Sequence, residues 1–326
     1  MTTLAIVAVV LCAGAAITLI GVRLIERAHR PGGRFIDVGG FRQHVVEIGD
    51  GGSQRLPVVL LHGAGANLQD MNLALGEQLG GRYRLILVDR PGFGFSGRHP
   101  GQGGSPAYQA AVLREVMDRL GVDRAIIVGH SWGGTLALSF ALDNPQRVAG
   151  LVLIAPPTHP GLWRVTVLNK FLATPIGWLF AHTLALPFGA ILIGPGSRTA
   201  FLPQTLPARY VKRTAAMLVL RPATLLANWA DIGSLDEFLA RQIERYGELA
   251  APTIALTGDR DPLVPPHDHV MKLAETVPVV KVELLPGFGH MLHHAAADRV
   301  VAAVEEIADR VRAHAAAREA VSGIID

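Results

Sequence analysis

Short unbroken apolar runs recur along this chain, bounded by Gly, Pro and Asp, and the segments between them carry apolar residues at helical spacing. The runs predict strands near 35–38, 41–48, 57–62, 84–88, 124–129, 149–154, 252–257 and 280–285. Helices are expected near 68–80, 105–120, 132–144, 265–276 and 294–315. The last is amphipathic, with Val300, Val301, Val304, Ile307 and Val311 on one stripe, and Ala315 to Asp326 reads as a fraying tail. Strands that alternate with helices predict an α/β fold, a doubly wound, mostly parallel sheet covered on both faces.

Two segments depart from that alternation. Thr2 to Val22 carries no charged residue, about the length that spans a bilayer as a helix. Arg23, Arg27, Arg30 and Arg34 follow it, with only Glu26 opposing them, which places the bulk of the chain on the cytoplasmic side. A cleaved signal peptide is the competing reading, but the basic leader that normally opens one is missing. Residues 1–28 are therefore expected to be a membrane anchor, and 29–326 the folded domain. The second segment, about 157–247, separates the sixth strand from the seventh. A loop of that length without structure is rare, so a helical cap is expected there. From Thr158 to Ala230 it holds no Asp or Glu but seven basic residues, Arg164, Lys170, Arg198, Arg209, Lys212, Arg213 and Arg221. Phe171 to Ser197 holds no charge of either sign, and Pro175, Gly177, Pro187, Gly189, Gly194 and Pro195 should break it into short helices.

Composition sharpens this. Of 326 residues 50% are apolar and 17% charged, and the mean hydropathy is +0.33, which suits contact with lipid or a greasy ligand. The formal net charge is +3. No basic stripe interleaved with aromatics accompanies it, so nucleic acid is not an expected partner and a membrane surface is. The single cysteine, Cys12, leaves no intramolecular disulfide and no cysteine-based metal site.

The chemistry begins at Gly129-His130-Ser131-Trp132-Gly133, between an apolar run and a helical stretch. This G-x-S-x-G motif in a strand–turn–helix setting lifts a serine onto a sharp turn at a helix N-terminus. An acid follows in Gly258-Asp259-Arg260-Asp261-Pro262-Leu263-Val264-Pro265, then a Gly-flanked histidine in Gly287-Phe288-Gly289-His290. Upstream, one strand ends in His62-Gly63 and the next in Asp89-Arg90-Pro91-Gly92. With these motifs in this order, the chain resembles the α/β-hydrolase superfamily, in its cap-bearing serine esterase and lipase-like branch, over about residues 35 to 312.

The resemblance implies roles. Ser131 is the nucleophile and His290 its base. Asp261 is the acid, as the fourth residue of the family's G-x-x-D-x-x-V-P pattern; Asp259 competes for that role but is better read as a turn former. The backbone N–H groups of Ala64 and Trp132 are the expected oxyanion hole. Trp178, Phe180 and Phe188 are expected to form the acyl-binding wall of the cap. Asp89 reads as a turn and ion-pair element. His267, His269, His293 and His294 are expected on the surface or the pocket rim. The spacing of His290, His293 and His294 is too weak to imply a metal, and no cofactor is implied. Relatives that open epoxides or displace halides carry an aspartate at the elbow, so Ser131 disfavours both. The expected activity is hydrolysis of an ester, thioester or lactone of a small apolar acyl substrate. A cofactor-free peroxidase-like or carbon–carbon bond hydrolase is the alternative on the same triad, and an inactive membrane-anchored binding module the alternative of another class.

Overall fold

The computed structural model describes residues 3–52, 55–99 and 104–322. Along the chain, α1 (Thr3–Ala28) precedes β1 (Arg34–Val38), β2 (Phe41–Ile48) and β3 (Val58–Leu61). Then come α2 (Leu68–Met71), a π turn at Asn72–Gly76, α3 (Glu77–Gly80), β4 (Leu85–Val88), α4 (Pro106–Arg119), β5 (Ala125–His130), α5 (Trp132–Asp143) and β6 (Val148–Ile154). The cap comprises α6 (Trp163–Leu172), α7 (Pro175–Thr183), α8 (Ala185–Phe201), α9 (Tyr210–Arg213), α10 (Pro222–Gly233) and α11 (Leu235–Gln242). The chain closes with β7 (Thr253–Gly258), α12 (Val270–Thr276), β8 (Val280–Leu285), α13 (Leu292–Ala295) and α14 (Ala297–Ser322).

All eight expected strands form, in one sheet ordered β1-β2-β4-β3-β5-β6-β7-β8. The pairs β1/β2 and β2/β4 are antiparallel and the remainder parallel. Alternate residues of one strand feed opposite faces, as a pleat requires. Val59, Leu61, Ile127, Leu151 and Leu153 pack with α4 and α5. Val58, Leu60, Ile126, Val128, Val152 and Ile154 pack on the other face with the 68–79 helical region and with Val300, Val304 and Ile307 of α14. Both faces are buried, which is why these strands read as continuous apolar runs rather than alternating ones. Each fully buried Leu, such as Leu60 and Leu61, contributes about 1.5–3 kcal/mol of apolar transfer free energy.

Three helices differ from expectation. The Pro265-Pro266 pair permits only a 3-10 turn at Pro266–Asp268, so α12 starts at Val270 rather than at 265. Helix α14 runs to Ser322, through the part of the tail expected to fray, whereas residues 323–326 lie outside the described residues. Helix α8 continues for 17 residues with Pro195 inside it. Pro187 falls in its first turn, where a missing N–H is harmless, so this segment is one helix rather than fragments.

Helix α1 is long and apolar enough to cross a membrane, with a mean hydropathy of 2.7 over its most apolar window. It does not stand free of the cap. Gly14, Thr18, Gly21 and Ile25, spaced four, three and four residues apart, form one face of the helix. A Cβ on Gly14 would lie 2.6 Å from the Thr183 carbonyl, and one on Gly21 2.7 Å from Leu186. Thr18 Oγ1 donates to that carbonyl at 3.1 Å. Ile25 packs with Leu186, Leu218 and Leu220, and Glu26 pairs with Arg221 at 3.2 Å.

Just past the carboxyl end of β4, Asp89 acts as the expected turn and ion-pair element. It accepts from Leu68 N at 2.8 Å, Phe95 N at 2.9 Å and His44 Nδ1 at 2.7 Å. For His44, burial disfavours the charged ring, but the hydrogen bond and charge of Asp89 outweigh it and raise the pKa above 6.5. Asp89→Ala should cost about 3–5 kcal/mol, read as a lower denaturation midpoint. The contribution of His44 is full below pH 6.5 and is lost as pH rises through its raised value. Between pH 6 and 9 the wild type should therefore lose stability that His44→Gln, weaker throughout, does not.

Candidate active site

The sheet order reverses direction around β3, and the chain leaves β3 and β5 beside each other at the carboxyl end, where α/β folds gather ligands. Gly129 and Gly133 make the elbow possible. A Cβ on Gly129 would sit 2.3 Å from the Gly133 carbonyl, and one on Gly133 2.4 Å from the Leu61 carbonyl. Between them Ser131 is held at φ +50°, ψ −123°, strained backbone for a residue with a side chain. Its N–H donates to the Ile154 carbonyl at 2.8 Å, so the neighbouring strand holds the strained residue in place.

His290 follows β8, and its Nδ1 lies 2.7 Å from Asp261 Oδ2. The other oxygen of Asp261 accepts the N–H groups of Leu263 at 2.8 Å and Val264 at 2.9 Å. These three partners fix the carboxylate, which is buried. Asp259 is turned elsewhere: it accepts from Gly287 N at 2.6 Å and ties the two strand ends together. Ser131, His290, Ala64 and Trp132 all line one cavity of about 410 Å³. Its remaining walls are mainly apolar, among them Leu162, Val165, Ile193, Phe201, Val219 and Ile232, and no Lys or Arg is among its described lining residues.

The expected cap wall is misplaced. Trp178, Phe180 and Phe188 do not line this cavity. Trp178 is 54% and Phe188 55% exposed, Trp178 stacks on His182, and Phe180 stacks with Trp229. Trp178 on α7 and Phe188 on α8 face outward while Phe180 packs on α10, and apolar residues from α6, the second half of α8 and α10 supply the wall instead.

The sequence reading missed two polar clusters. Arg90, wholly buried, donates to the carbonyls of His62 at 3.0 Å and Gly63 at 3.1 Å, to Gln109 at 3.1 Å, and to Asp231 of the cap at 2.7 Å. Arg98 binds the other oxygen of Asp231 at 2.8 Å. The Arg90 guanidinium also lies 4.1 Å from the centre of the Trp132 ring. Burial lowers the Arg90 pKa to about 10 against the pull of Asp231, and burial with the Arg90 charge lowers that of His62 to about 3. Neutral His62 then donates from Nδ1 to Gly63 O at 2.8 Å and accepts from Arg90 N at 3.0 Å. The loop before Ala64 thus has its carbonyls held from behind. An arginine after a strand-end Asp was the available signal, but Asp231 has no motif.

In the second cluster Asp70 accepts from His293 at 2.8 Å, His294 at 2.8 Å and Tyr210 OH at 2.7 Å. His293 is fully buried, not a surface residue as expected, because the short α13 turns it inward onto Asp70. Burial opposes the Asp70 charge, yet the two histidines hold its pKa well below 3.8. The His130 ring packs at a tilt against those of His293 and His290, with ring centres 4.0 and 4.9 Å away. Its Nε2 donates to the His290 carbonyl at 3.2 Å. Ligand atoms of Asp70, His130 and His293 come within 4.8 Å of one another. Asp70 is already engaged by three donors, while the buried Nδ1 atoms of His130 and His293 have no hydrogen-bond partner. His269 is also buried, against expectation: its Nδ1 accepts from Thr158 N at 3.4 Å and His159 N at 3.3 Å, where the cap begins. His267 is exposed as expected.

Known proteins share this framework. The chain is 30% identical over 262 residues, 77% of its length and 84% of the relative, to a 2-hydroxy-6-oxononadienedioate/2-hydroxy-6-oxononatrienedioate hydrolase of Cupriavidus pinatubonensis. It is 26% identical to haloalkane dehalogenase 2 of Mycobacterium bovis, covering 84% of this chain and 93% of that one. Among solved structures, a thermophilic esterase from Thermogutta terrifontis superposes with a TM-score of 0.67 at 23% identity, over 85% of this chain and 99% of that one, a likeness of fold. Residues 57–297 match the alpha/beta hydrolase fold family, and with the sheet order and elbow described above the chain belongs to that family.

Proposed function

We propose that the protein is a membrane-anchored serine hydrolase that cleaves an ester, thioester or lactone of an apolar acyl group. The observation that carries this reading is the convergence of a strained Ser131, a His290–Asp261 pair at 2.7 Å and a largely apolar wall on one cavity. His290 takes the Ser131 proton as Oγ attacks the acyl carbon. The oxygen that becomes negative is held by the N–H groups of Ala64 and Trp132, each worth about 3 kcal/mol in such a site. His290 then returns the proton to the departing alcohol or thiol, leaving an acyl-enzyme. In the second half His290 deprotonates water, which releases the acid and restores Ser131. Asp261 holds the imidazole in the tautomer with the Nδ1 proton and stabilises its charged form. No step calls for a cofactor or metal. Helix α1 is read as an uncleaved anchor with the enzyme on the cytoplasmic side, a reading supported by its packing on the cap and by the arginines that follow it.

Carbon–carbon bond hydrolysis is the second reading, favoured by the name of the 30% identical relative. That name describes a dicarboxylate. A cavity that holds Asp70 and no Lys or Arg offers such an anion little, and this weighs toward a neutral acyl substrate. Halide displacement is disfavoured by a serine at position 131.

A fluorophosphonate probe should label the wild type and fail to label Ser131→Ala; labelling that persists would remove Ser131 from its role, and a folded wild type that never labels would favour an inactive binding module. Medium-chain esters should outrun acetate, and both should outrun a 2-hydroxy-6-oxo dienoate followed by its absorbance; the opposite order would establish the second reading. Asp261→Asn should lower kcat by about 10⁴-fold, whereas Asp259→Asn should retain most of it. Arg90→Lys cannot keep the fork that grips two carbonyls and Asp231 together. A fall in kcat of about 10²–10³-fold with little change in KM is expected, and an unchanged kcat would separate Arg90 from the oxyanion loop.

A further inference from the structure

The apolar surface of the cap is continuous with α1. Ile176, Trp178 and Leu179 of α7 and Phe188, Ile191 and Leu192 of α8 are exposed, Ile191 by 74%. No Asp, Glu, Lys or Arg occurs between Lys170 and Arg198, so the α7–α8 hairpin is bounded by a basic residue at each end. The chain bends by 78° between the two helices, a geometry shared by broken spans and by segments that enter a layer and turn back.

The turn docks near the middle of α1. Gly14 and Thr18, which meet Thr183, lie within the uncharged stretch that ends at Val22. At 1.5 Å per residue, Gly14 is about 14 Å inside the point where Arg23 begins the charged segment. If α1 crosses a bilayer, the corner at Thr183 is immersed with it. The nine residues of α7 span about 14 Å, roughly half of the hydrocarbon layer.

The backbone at that corner is prepared for a place without water. The ends of helices leave carbonyls unpaired, and in lipid each one costs several kcal/mol. One turn earlier, on carbonyls that the helix already engages, His182 Nδ1 adds a side-chain bond to Trp178 O at 2.8 Å and Thr183 Oγ1 one to Leu179 O at 2.7 Å. Of the terminal carbonyls themselves, those of Phe180 and Thr183 have partners: Leu184 N donates to Phe180 O at 2.9 Å, and the Thr183 carbonyl is taken by Thr18 of α1. The catalytic cavity reaches this surface as well. Val165 on α6 and Gly196 on α8 both line it and are both exposed, and Ile193 stands beside them.

We propose that α7 and α8 form a re-entrant hairpin immersed in one leaflet beside α1, and that the gap between α6 and α8 admits an acyl substrate sideways from that leaflet. The occupant of the exposed apolar face is lipid. The basic residues at both borders of the hairpin, Lys170 and Arg198, match the anionic headgroups of such a leaflet. The entrance rests on the proposed esterase reading; the immersion does not.

The full chain, carrying Cys12→Ser and one new cysteine labelled with NBD, is placed in phosphatidylcholine–phosphatidylglycerol vesicles. Labels at Leu179→Cys and Phe188→Cys should be quenched by doxyl-labelled lipid as strongly as one at Ile17→Cys of α1, while Glu237→Cys on α11 should be quenched by iodide alone. Quenching of both hairpin labels by iodide and not by lipid would overturn the immersion. For the entrance, Ile191→Arg with Leu192→Arg should slow a long-chain ester dissolved in the vesicles at least tenfold. It should leave a water-soluble butyrate within twofold, with fluorophosphonate labelling of Ser131 confirming the fold. Equal loss on both esters, or no loss on either, would overturn lateral entry. Lipid quenching without turnover of any ester would support the hairpin and overturn the esterase reading alone.

Discussion

Arg90 is the constraint on which the site depends. One wholly buried guanidinium grips two successive carbonyls of the loop after β3, packs over the ring of the residue that follows Ser131, and reaches into the cap to Asp231. A lone buried cation would be ruinous, and here every nitrogen of the planar fork meets an acceptor. The loop that presents Ala64 is therefore as fixed as the elbow that presents Ser131. The two are built on adjacent parallel strands with Leu61 level with Gly129, so their separation is set by the sheet and not by flexible loops.

How far the sequence could be read depends on how local the physics was. The strands were legible because burial on both faces turns each into a continuous apolar run, as in Val58 to Leu61 and Ala125 to Val128. The elbow, Asp261 and His290 were legible because each sits in a short motif whose glycines the backbone geometry demands. Trp178, Phe180 and Phe188 were misread because an apolar helix announces that it has a partner but not which one. Here the partners were His182, Trp229 and the outside rather than the cavity. The prolines of α8 misled for a related reason: a missing N–H breaks a helix only if the carbonyl it abandons has no other support, and Pro187 in the first turn abandons none.

The buried histidines were illegible for another reason. His293 is paired with Asp70 across 223 residues of chain, and His294 with the same carboxylate across 224. Nothing near Asp70 in the sequence announces a carboxylate with three donors, since two come from the last histidine motif and one from the cap. Long-range polar clusters leave no periodic trace. They are inferred from the need to satisfy each buried group, and that need becomes visible only once the fold is known.

The cap is pinned to the body on two flanks, by Asp231 to Arg90 and by Tyr210 to Asp70. Swinging it open as a hinged door would break a buried ion pair or strip a buried carboxylate of a donor, at about 3–5 kcal/mol for the pair alone. An open form at that cost is populated at well under about 1%. Ligand exchange by a moving lid would be slow, and the roof behaves as masonry. Ligand exchange is left to the breathing of side chains in the wall, so its timescale is tied to how tightly those side chains pack on one another.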